Sequence, residues 1–302
     1  KMLATMRGYD SVIDYLLAAQ DGNRELYDRQ IRTLMTDLAP HIRRYIKLLA
    51  REHKIENMQF ADCKINLDPD FEVDMTIDES RSYLKKALGV LGEDYVKMID
   101  ESYDKRWTDF PQNIGKSTGG FCATVPNVAG FILLSWTGKM NEVFVLAHEL
   151  GHAYHGLHIE NHRVLNQEYS MPVAETASTF NENIVMNTVI SEASDAEKVA
   201  LLESQLQDTT QIIVDIYSRY LFESAVFENR EKSFMFSKDL EKLMLDAQKE
   251  AYGDGLDPDA MHPYMWACKP HYYSSGLSFY NFPYAFGGLF SKGLYAIYQE
   301  QP

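Results

Sequence analysis

Apolar residues recur at three- and four-residue spacing through most of the chain, which is the period of an amphipathic helix. Residues 10–50 show this pattern first. Its apolar positions there are Val12, Ile13, Leu16, Leu17, Ile31, Leu34, Leu38, Ile42, Ile46 and Leu49. The same spacing predicts helices over residues 78–88 and 93–103, and it returns over residues 193–252 in long blocks of charged and apolar residues. Together these stretches predict a mainly helical protein.

One region has a different composition. Residues 113–136 are rich in glycine and in β-branched or aromatic residues, which favours strands joined by turns. The predicted fold class is therefore mainly α with a small β-sheet. No internal repeat or low-complexity linker marks a domain boundary inside the chain.

The stretch HELGHAYHGLH, residues 148–158, contains a metal-binding pattern. His148 and His152 are four residues apart, so on a helix both imidazoles project from one face and can reach a single ion. Glu149 follows the first histidine, where a carboxylate can take the proton of a metal-bound water. Gly151 inside such a helix costs about 1 kcal/mol relative to Ala, so we expect another element to pack closely against its backbone. An apolar stripe supports the helix and consists of Val143, Leu146, Leu150 and Leu157.

Three residues compete for the third ligand position. His158 fits the last histidine of the metzincin pattern HExxHxxGxxH, but that pattern needs glycine where this chain has His155, and Gly156 comes one residue late. His155 lies one turn further along the ligand side, which suits a hydrogen-bonding or exposed role better. Glu175 would project from a second helix that begins near Pro172. Two histidines from one helix and a glutamate from the next would leave the fourth zinc position to water, as in catalytic sites.

The charge balance limits the choice of partners. The chain has 29 basic and 44 acidic residues, a net charge of −15. No run of Lys or Arg residues gives any segment a strongly positive charge. We therefore expect neither a nucleic acid nor a membrane surface as a partner. The longest apolar runs fall far short of the roughly 20 residues that span a bilayer. Three widely spaced cysteines and the lack of an export signal favour a reducing, cytoplasmic compartment.

The segments HELGHAYH and VAETASTFNE together resemble the M3 family of zinc metallopeptidases, in particular its oligoendopeptidase F branch. The likeness extends upstream through KRWTDFPQNIGKSTGGFC and FILLSW and downstream through HYYSSGLSFYNFPYAFG, so it covers the chain from about residue 40 to its end. The resemblance implies a helical zincin-type metallopeptidase with the small β-sheet beside the active-site helix and a deep substrate cleft.

Members of that family are usually much longer than this chain, which resembles their carboxy-terminal catalytic portion. We therefore expect a single catalytic domain over residues 1–302. We also expect an amino-terminal portion that helps to close the cleft to be missing, and association with such a portion is a predicted interaction.

The resemblance also implies a metal site and an activity. His148, His152 and Glu175 would bind one zinc ion per chain, and Glu149 would be the general base. The predicted function is a metalloendopeptidase that hydrolyses internal bonds of short oligopeptide substrates by a metal-activated water.

The same resemblance implies roles for aromatic residues near the carboxy terminus, within residues 271–287. His271 and Tyr280 would direct their polar ends at the substrate carbonyl and the developing oxyanion. Tyr284 and Tyr273 are weaker candidates for substrate contacts.

Residues 119–135 would supply a strand edge to which an extended peptide adds through backbone hydrogen bonds. Gly119 and Gly120 would then permit a close approach of the substrate. An ordinary hairpin turn explains these two glycines equally well.

Other classes of protein share parts of this pattern. A zinc carboxypeptidase of related helical fold needs a positive group for the substrate carboxylate, for which Arg163 and Arg219 are available. An aminopeptidase would carry an additional acidic segment such as GxMEN, which the sequence lacks. A metal-bearing peptide-binding module without turnover is a third alternative, but such a module has no need of Glu149.

Overall fold

The structure, a computed structural model, describes residues 1–65, 67, 74–116, 119–274, 276–280 and 282–300. In chain order, the helices in these ranges are α1 (Met2–Met6), α2 (Val12–Ala19), α3 (Arg24–Thr33), α4 (Ala39–Glu52), α5 (Ile77–Leu88), α6 (Glu93–Asp104), α7 (Met140–Ile159), α8 (Met171–Glu192), α9 (Asp195–Thr209), α10 (Ile216–Arg230), α11 (Ser237–Tyr252) and α12 (Phe282–Glu300). The strands are β1 (Thr108–Asp109), β2 (Gly120–Val125) and β3 (Ala129–Leu134). The predicted fold class, mainly α with a small sheet, is confirmed.

The chain forms two compact units. Unit 1 consists of Lys1–Pro69 and Leu202–Ala285, and unit 2 consists of Asp70–Leu201 and Phe286–Pro302. The single catalytic domain expected from the sequence stays a prediction. No helix in the described ranges combines the length and the apolar composition that crossing a membrane requires.

The helices of unit 1 follow the predicted apolar pattern. Ile42, Ile46 and Leu49 of α4 are fully or almost fully buried, and they belong to one core cluster with Val214 and Tyr252. The predicted helical region over residues 10–50 is interrupted between α2 and α3. There the Asn23 side chain accepts a hydrogen bond from the Leu26 backbone N–H and begins the new helix.

Unit 2 has a core of its own, formed by α5 to α8 and the sheet. Its largest fully buried side chains include Leu84, Leu88, Tyr95, Ile99, Leu134, Leu146 and Leu150. The start of α5 is fixed by a capping box, in which Thr76 and Glu79 exchange hydrogen bonds between side chain and backbone. Observed α5 and α6 differ from the predicted helices by one residue at one end each.

The sheet has the order β1-β3-β2. β2 and β3 form an antiparallel hairpin in which Gly120 pairs with Leu134 and Val125 pairs with Ala129, and β1 runs parallel to β3. The two strands predicted within residues 113–136 are thus present, although Ser117 and Thr118 lie outside the described residues. β1 lies before the region predicted to form strands. The sequence does not predict it, because a strand of two residues is too short to show an alternating pattern.

One face of this hairpin packs directly on α7. A Cβ atom at Gly130 would lie 2.7 Å from the Ala153 Cβ, and one at Gly156 would lie 2.9 Å from the Thr124 Cγ2. Strand and helix backbones therefore approach more closely than a larger residue at either position would allow. This packing places β2 beside the helix that carries the HExxH residues.

Gly151 of α7 has the close neighbour that its position predicted. A Cβ atom there would lie 2.8 Å from the Ser178 Cα and 2.9 Å from the Ala177 carbonyl oxygen, both in α8. Asn181 of α8 also donates a side-chain hydrogen bond of 3.0 Å to the Ala147 carbonyl oxygen. The glycine therefore sets the separation between α7 and α8.

We expect Gly151→Ala to destabilise the protein by about 1–3 kcal/mol, as overpacking of a buried contact does. Alanine is the better helix former by about 1 kcal/mol, so the substitution tests packing against helix propensity. Gly288→Ala in α12 is the matched control, because a Cβ atom at Gly288 meets nothing within 4 Å. Denaturant unfolding measures both variants. A gain in stability for Gly151→Ala would show that the two helices are free to move apart.

Candidate metal centre

Helix α7 places the HExxH residues. The Glu142 carboxylate in its first turn accepts the backbone N–H groups of Thr137 and Gly138 at 2.5 and 2.8 Å, which fixes the loop that enters the helix. The predicted apolar stripe is largely correct, since Val143, Leu146 and Leu150 are fully buried and Leu157 is partly buried. With that stripe in the core, His148 and His152 lie on a less buried face of the helix.

Helix α8 supplies the third candidate ligand. Pro172 lies in its first turn, as predicted, and Glu175 follows with 3% of its surface exposed. The Ser178 hydroxyl donates to the Glu175 carboxylate at 3.2 Å. A Cβ atom at Gly287 of α12 would lie 2.7 Å from the Glu175 carbonyl carbon, so the backbone behind the carboxylate is closely packed.

His148, His152 and Glu175 form a group suited to a metal ion. The His148 Nε2 atom lies 3.3 Å from the Glu175 Oε2 atom, and the His152 Nε2 atom lies 4.0 Å from the same oxygen. One ligand atom from each residue lies within 4.8 Å of the other two. Tetrahedral ligands about 2.1 Å from an ion are about 3.4 Å apart, so these residues fit a metal with small adjustments.

Glu182 is a member of this site that the sequence reasoning missed. Its carboxylate accepts a hydrogen bond from the Nδ1 atom of His148, the ring nitrogen that does not face Glu175. Metal-binding histidines commonly donate their second nitrogen to a carboxylate, which fixes the tautomer and the ring orientation. The sequence does contain a signal for Glu182. It comes seven residues, or two helical turns, after Glu175, so both side chains project from the same face of α8.

The electrostatics of the group follow from burial and from its carboxylates. Burial acts to lower the pKa of His148, but hydrogen bonds to Glu175 and Glu182 raise it to about 10. Burial, with repulsion from His148, lowers the pKa of His152 to about 4. A metal ion must displace the proton of His148, so metal affinity is expected to rise with pH.

Glu149 lies beside the ligand group but on the buried side of α7, with 5% of its surface exposed. Burial raises the pKa of its carboxyl group to about 7, although attraction to His148 and a hydrogen bond from the Cys122 backbone N–H act in the opposite direction. A carboxyl group with this pKa exchanges protons readily near neutral pH.

Strand β2 approaches Glu149 through a glycine. A Cβ atom at Gly120 would lie 2.7 Å from the Val145 Cγ1 and 3.1 Å from the Glu149 Oε1. Gly120 is the first residue of β2 rather than part of the hairpin turn, and Gly119 before it has a φ of +84°. The close approach to Glu149 thus explains Gly120, and the left-handed backbone explains Gly119.

The other histidines of the stretch make different contacts. Helix α7 continues to Ile159, and His158 packs its ring against Tyr154 with the centroids 4.5 Å apart. His155 packs against Tyr169 at 4.5 Å, and burial lowers its pKa. Neither residue belongs to the group of described residues whose ligand atoms are close enough to hold a metal ion. The geometry therefore favours Glu175 over both alternatives for the third ligand.

The four residues predicted to contact the substrate from the carboxy-terminal part of the chain lie in unit 1. They are His271, Tyr273, Tyr280 and Tyr284. The rings of His271 and Tyr280 are stacked, with centroids 4.7 Å apart and planes at 14°. The hydroxyl groups of Tyr280 and Tyr284 lie 3.4 Å apart. Tyr273 is mostly exposed, and its hydroxyl donates to the Trp266 carbonyl oxygen at 3.5 Å. His271, Tyr280 and Tyr284 thus form one cluster, from which Tyr273 is separate.

Comparisons with known proteins show which family the chain resembles. The model of the family described as Peptidase family M3 matches residues 1–301. The chain is 30% identical over 289 residues to the chromosomal oligoendopeptidase F of Lactococcus lactis subsp. cremoris, a match that covers 94% of this chain and 47% of that protein. It is 26% identical to the oligopeptidase PepF of Bacillus subtilis, with 94% and 42% covered.

A solved structure shows the same fold. Oligoendopeptidase F from Enterococcus faecium superposes with a TM-score of 0.66 and 20% identity, over 99% of this chain and 46% of that one. The chain spans about half the length of the curated relatives it matches. Because the family model matches nearly the whole sequence, the chain belongs to peptidase family M3.

Proposed function

We propose that this chain is a zinc-dependent endopeptidase that hydrolyses internal bonds of short oligopeptides. The observation that carries the proposal is the meeting of His148, His152 and Glu175 from two helices, with the buried Glu149 beside them. Membership of peptidase family M3 and similarity to proteins named oligoendopeptidase F support it.

Two imidazoles and one carboxylate are the ligands of a catalytic rather than a structural zinc site, because they leave the fourth position open. Zinc bound by His148, His152 and Glu175 would polarise the scissile carbonyl group and lower the pKa of water to about 7. Glu182 would hold His148 in the tautomer that presents Nε2 as a ligand.

The protein's own part in the reaction begins with Glu149. Its carboxylate accepts the proton of the attacking water and later returns this proton to the leaving amine. Its burial beside β2 supports this role, because burial raises the pKa of the carboxyl group and so favours its taking up the proton of the water.

Strand β2 is proposed to bind the substrate. In the described sheet β2 is an outer strand, paired with β3 on one side. An extended peptide would add to its other edge through main-chain hydrogen bonds, which hold a substrate whatever its side chains. Gly119, where an added Cβ atom would meet nothing within 4 Å, would leave room for the peptide, and Gly120 would let this end of β2 lie close to Glu149.

His271 and Tyr280 are proposed to stabilise the oxyanion of the tetrahedral intermediate by donating hydrogen bonds. This role comes from the family resemblance, and the stacking of the two rings supports a shared function. Tyr284, whose hydroxyl is near that of Tyr280, is the next candidate for a substrate contact, followed by Tyr273.

Peptides blocked at both ends test the proposal. The zinc-loaded protein is expected to cleave an internally quenched peptide with an acetylated amino terminus and an amidated carboxy terminus. A carboxypeptidase would cleave only substrates with a free carboxylate. Arg219, one candidate anchor for that carboxylate, is 7% exposed and forms a salt bridge with Asp215. Cleavage restricted to free carboxy termini would overturn the endopeptidase assignment.

We expect Glu182→Ala to weaken zinc binding about 10- to 100-fold, as the loss of a residue that orients a metal ligand does. Competition with a chromophoric chelator measures the dissociation constant. Glu192→Ala is the control, because Glu192 lies on the same helix but pairs with Lys86 at 2.6 Å. Equal zinc affinities for the two variants would show that the hydrogen bond to His148 has no influence on the metal.

A further inference from the structure

The backbone just before Tyr280 has an unusual conformation. Phe279 has a φ of +53°, in the left-handed region that residues other than glycine seldom adopt. For an L-residue with a bulky side chain this conformation costs about 1–2 kcal/mol. Surrounding contacts must therefore stabilise it.

Helix α10 supplies these contacts through one face. Both carboxylate oxygens of Glu223 lie 3.0 Å from the Phe279 backbone N–H, which donates to them. The Phe279 ring is 7% exposed and stacks on Phe227, with centroids 5.6 Å apart and planes at 23°. It also contacts Tyr220 at 5.9 Å. Backbone and side chain of Phe279 are thus both anchored to α10.

The conformation of Phe279 determines where Tyr280 begins. The Tyr280 backbone N–H donates to the Leu277 carbonyl oxygen at 3.1 Å, which closes a tight turn around Phe279. The Tyr280 ring leaves this turn and stacks on His271. Among the described residues the buried Nδ1 atom of His271 has no hydrogen-bond partner, so that atom does not fix the His271 ring, which stacks on Tyr280.

Burial of the Glu223 carboxyl group carries a desolvation penalty. Glu223 is 8% exposed, and burial raises the pKa of its carboxyl group to about 7, despite the hydrogen bond from Phe279 that lowers it. An apolar residue would pack in this environment without the desolvation penalty. The observed contact of the Glu223 carboxylate is the hydrogen bond from the Phe279 N–H, an interaction that an apolar residue could not make.

We infer that Glu223 is a positioning residue for the His271 and Tyr280 pair. It holds the Phe279 backbone in the left-handed turn and thereby fixes the direction in which the Tyr280 ring leaves that turn. The inference rests on the proposed function, in which these two side chains stabilise the oxyanion.

Substitutions that differ in hydrogen-bonding ability separate positioning from general stability. Glu223→Gln keeps a carbonyl oxygen that accepts the Phe279 N–H, whereas Glu223→Leu has none. Glu203→Leu is the matched control in unit 1, because Glu203 is also buried, at 5% exposed, and accepts the Leu67 backbone N–H at 2.6 Å. Glu203 is on α9, and its backbone partner is not part of the turn at Phe279.

The experiment measures kcat and KM for the zinc-loaded proteins with the end-blocked peptide. Glu223→Leu is expected to lower kcat about 10- to 100-fold, as misplacement of a reacting group does, with KM and zinc content nearly unchanged. Glu223→Gln is expected to restore most of kcat, and Glu203→Leu to lower the unfolding midpoint without changing kcat. The inference is overturned if Glu223→Leu keeps its kcat, or if Glu203→Leu loses as much.

Hydrogen exchange gives a readout that does not need activity. The Phe279 amide is expected to exchange slowly in the wild type, in Glu223→Gln and in Glu203→Leu, and faster in Glu223→Leu. Equal exchange in all four proteins would overturn the anchoring role itself. A zinc-loaded wild type that cleaves no peptide, while these exchange rates differ as expected, would overturn the proposed function and leave the anchoring contact intact.

Discussion

Glu149→Gln is expected to retain its zinc and to hydrolyse peptides about 10²- to 10⁴-fold more slowly than the wild type. Glutamine has nearly the same shape and can still accept the hydrogen bond of the Cys122 backbone N–H, so the packing beneath β2 should persist. It cannot accept the proton of the attacking water. Measurement of kcat and zinc content on the same preparation separates loss of the base from loss of the metal.

Glu160→Gln is a suitable control for this experiment. Glu160 is the capping residue at the carboxy-terminal end of α7, outside the metal-binding group, and its substitution should leave kcat unchanged. Wild-type activity in Glu149→Gln would exclude Glu149 as the base. Loss of zinc from that variant would show that the residue contributes to metal binding instead.

The HExxH residues of the candidate metal group are predictable from the sequence because their information is local. His148, Glu149 and His152 are related by one turn of a single helix, and the apolar stripe of that helix determines which face is buried. Glu175 required two further signals, the proline that begins α8 and the family resemblance. Gly151 predicted the close packing of the two helices, and the structure places Ser178 at that contact.

Other features depend on contacts between residues distant in sequence. Phe279 appears in the sequence as one more aromatic residue, and no local pattern indicates its left-handed backbone or its anchor on Glu223. The packing of Gly287 against the Glu175 backbone likewise depends on where α12 runs. The short strand β1 forms only because β3 is beside it.

Glu175→Ala is expected to lose zinc and, with it, all metal-dependent peptidase activity. The carboxylate is one of the three proposed ligands, so its removal should weaken zinc binding by more than the roughly 10- to 100-fold expected for a residue that orients a ligand. Structural collapse is not the expected cause, because the Thr179 hydroxyl donates to the Glu175 backbone carbonyl at 2.5 Å and this contact survives the substitution. Circular dichroism and the unfolding midpoint check that the variant is folded.

His158→Ala is the comparison that makes this result specific. His158 occupies the position of the third ligand in the metzincin pattern, but its ring packs on Tyr154, outside the metal-binding group. Its removal should therefore cost the contact with Tyr154 and leave zinc binding unchanged.

Zinc content per chain, measured by atomic emission after dialysis against a mild chelator, decides whether Glu175 or His158 is the third ligand. We expect about one zinc ion per chain for the wild type and for His158→Ala, and almost none for Glu175→Ala. Zinc retained by Glu175→Ala and lost by His158→Ala would contradict this expectation, and would place the third ligand on α7 instead of α8.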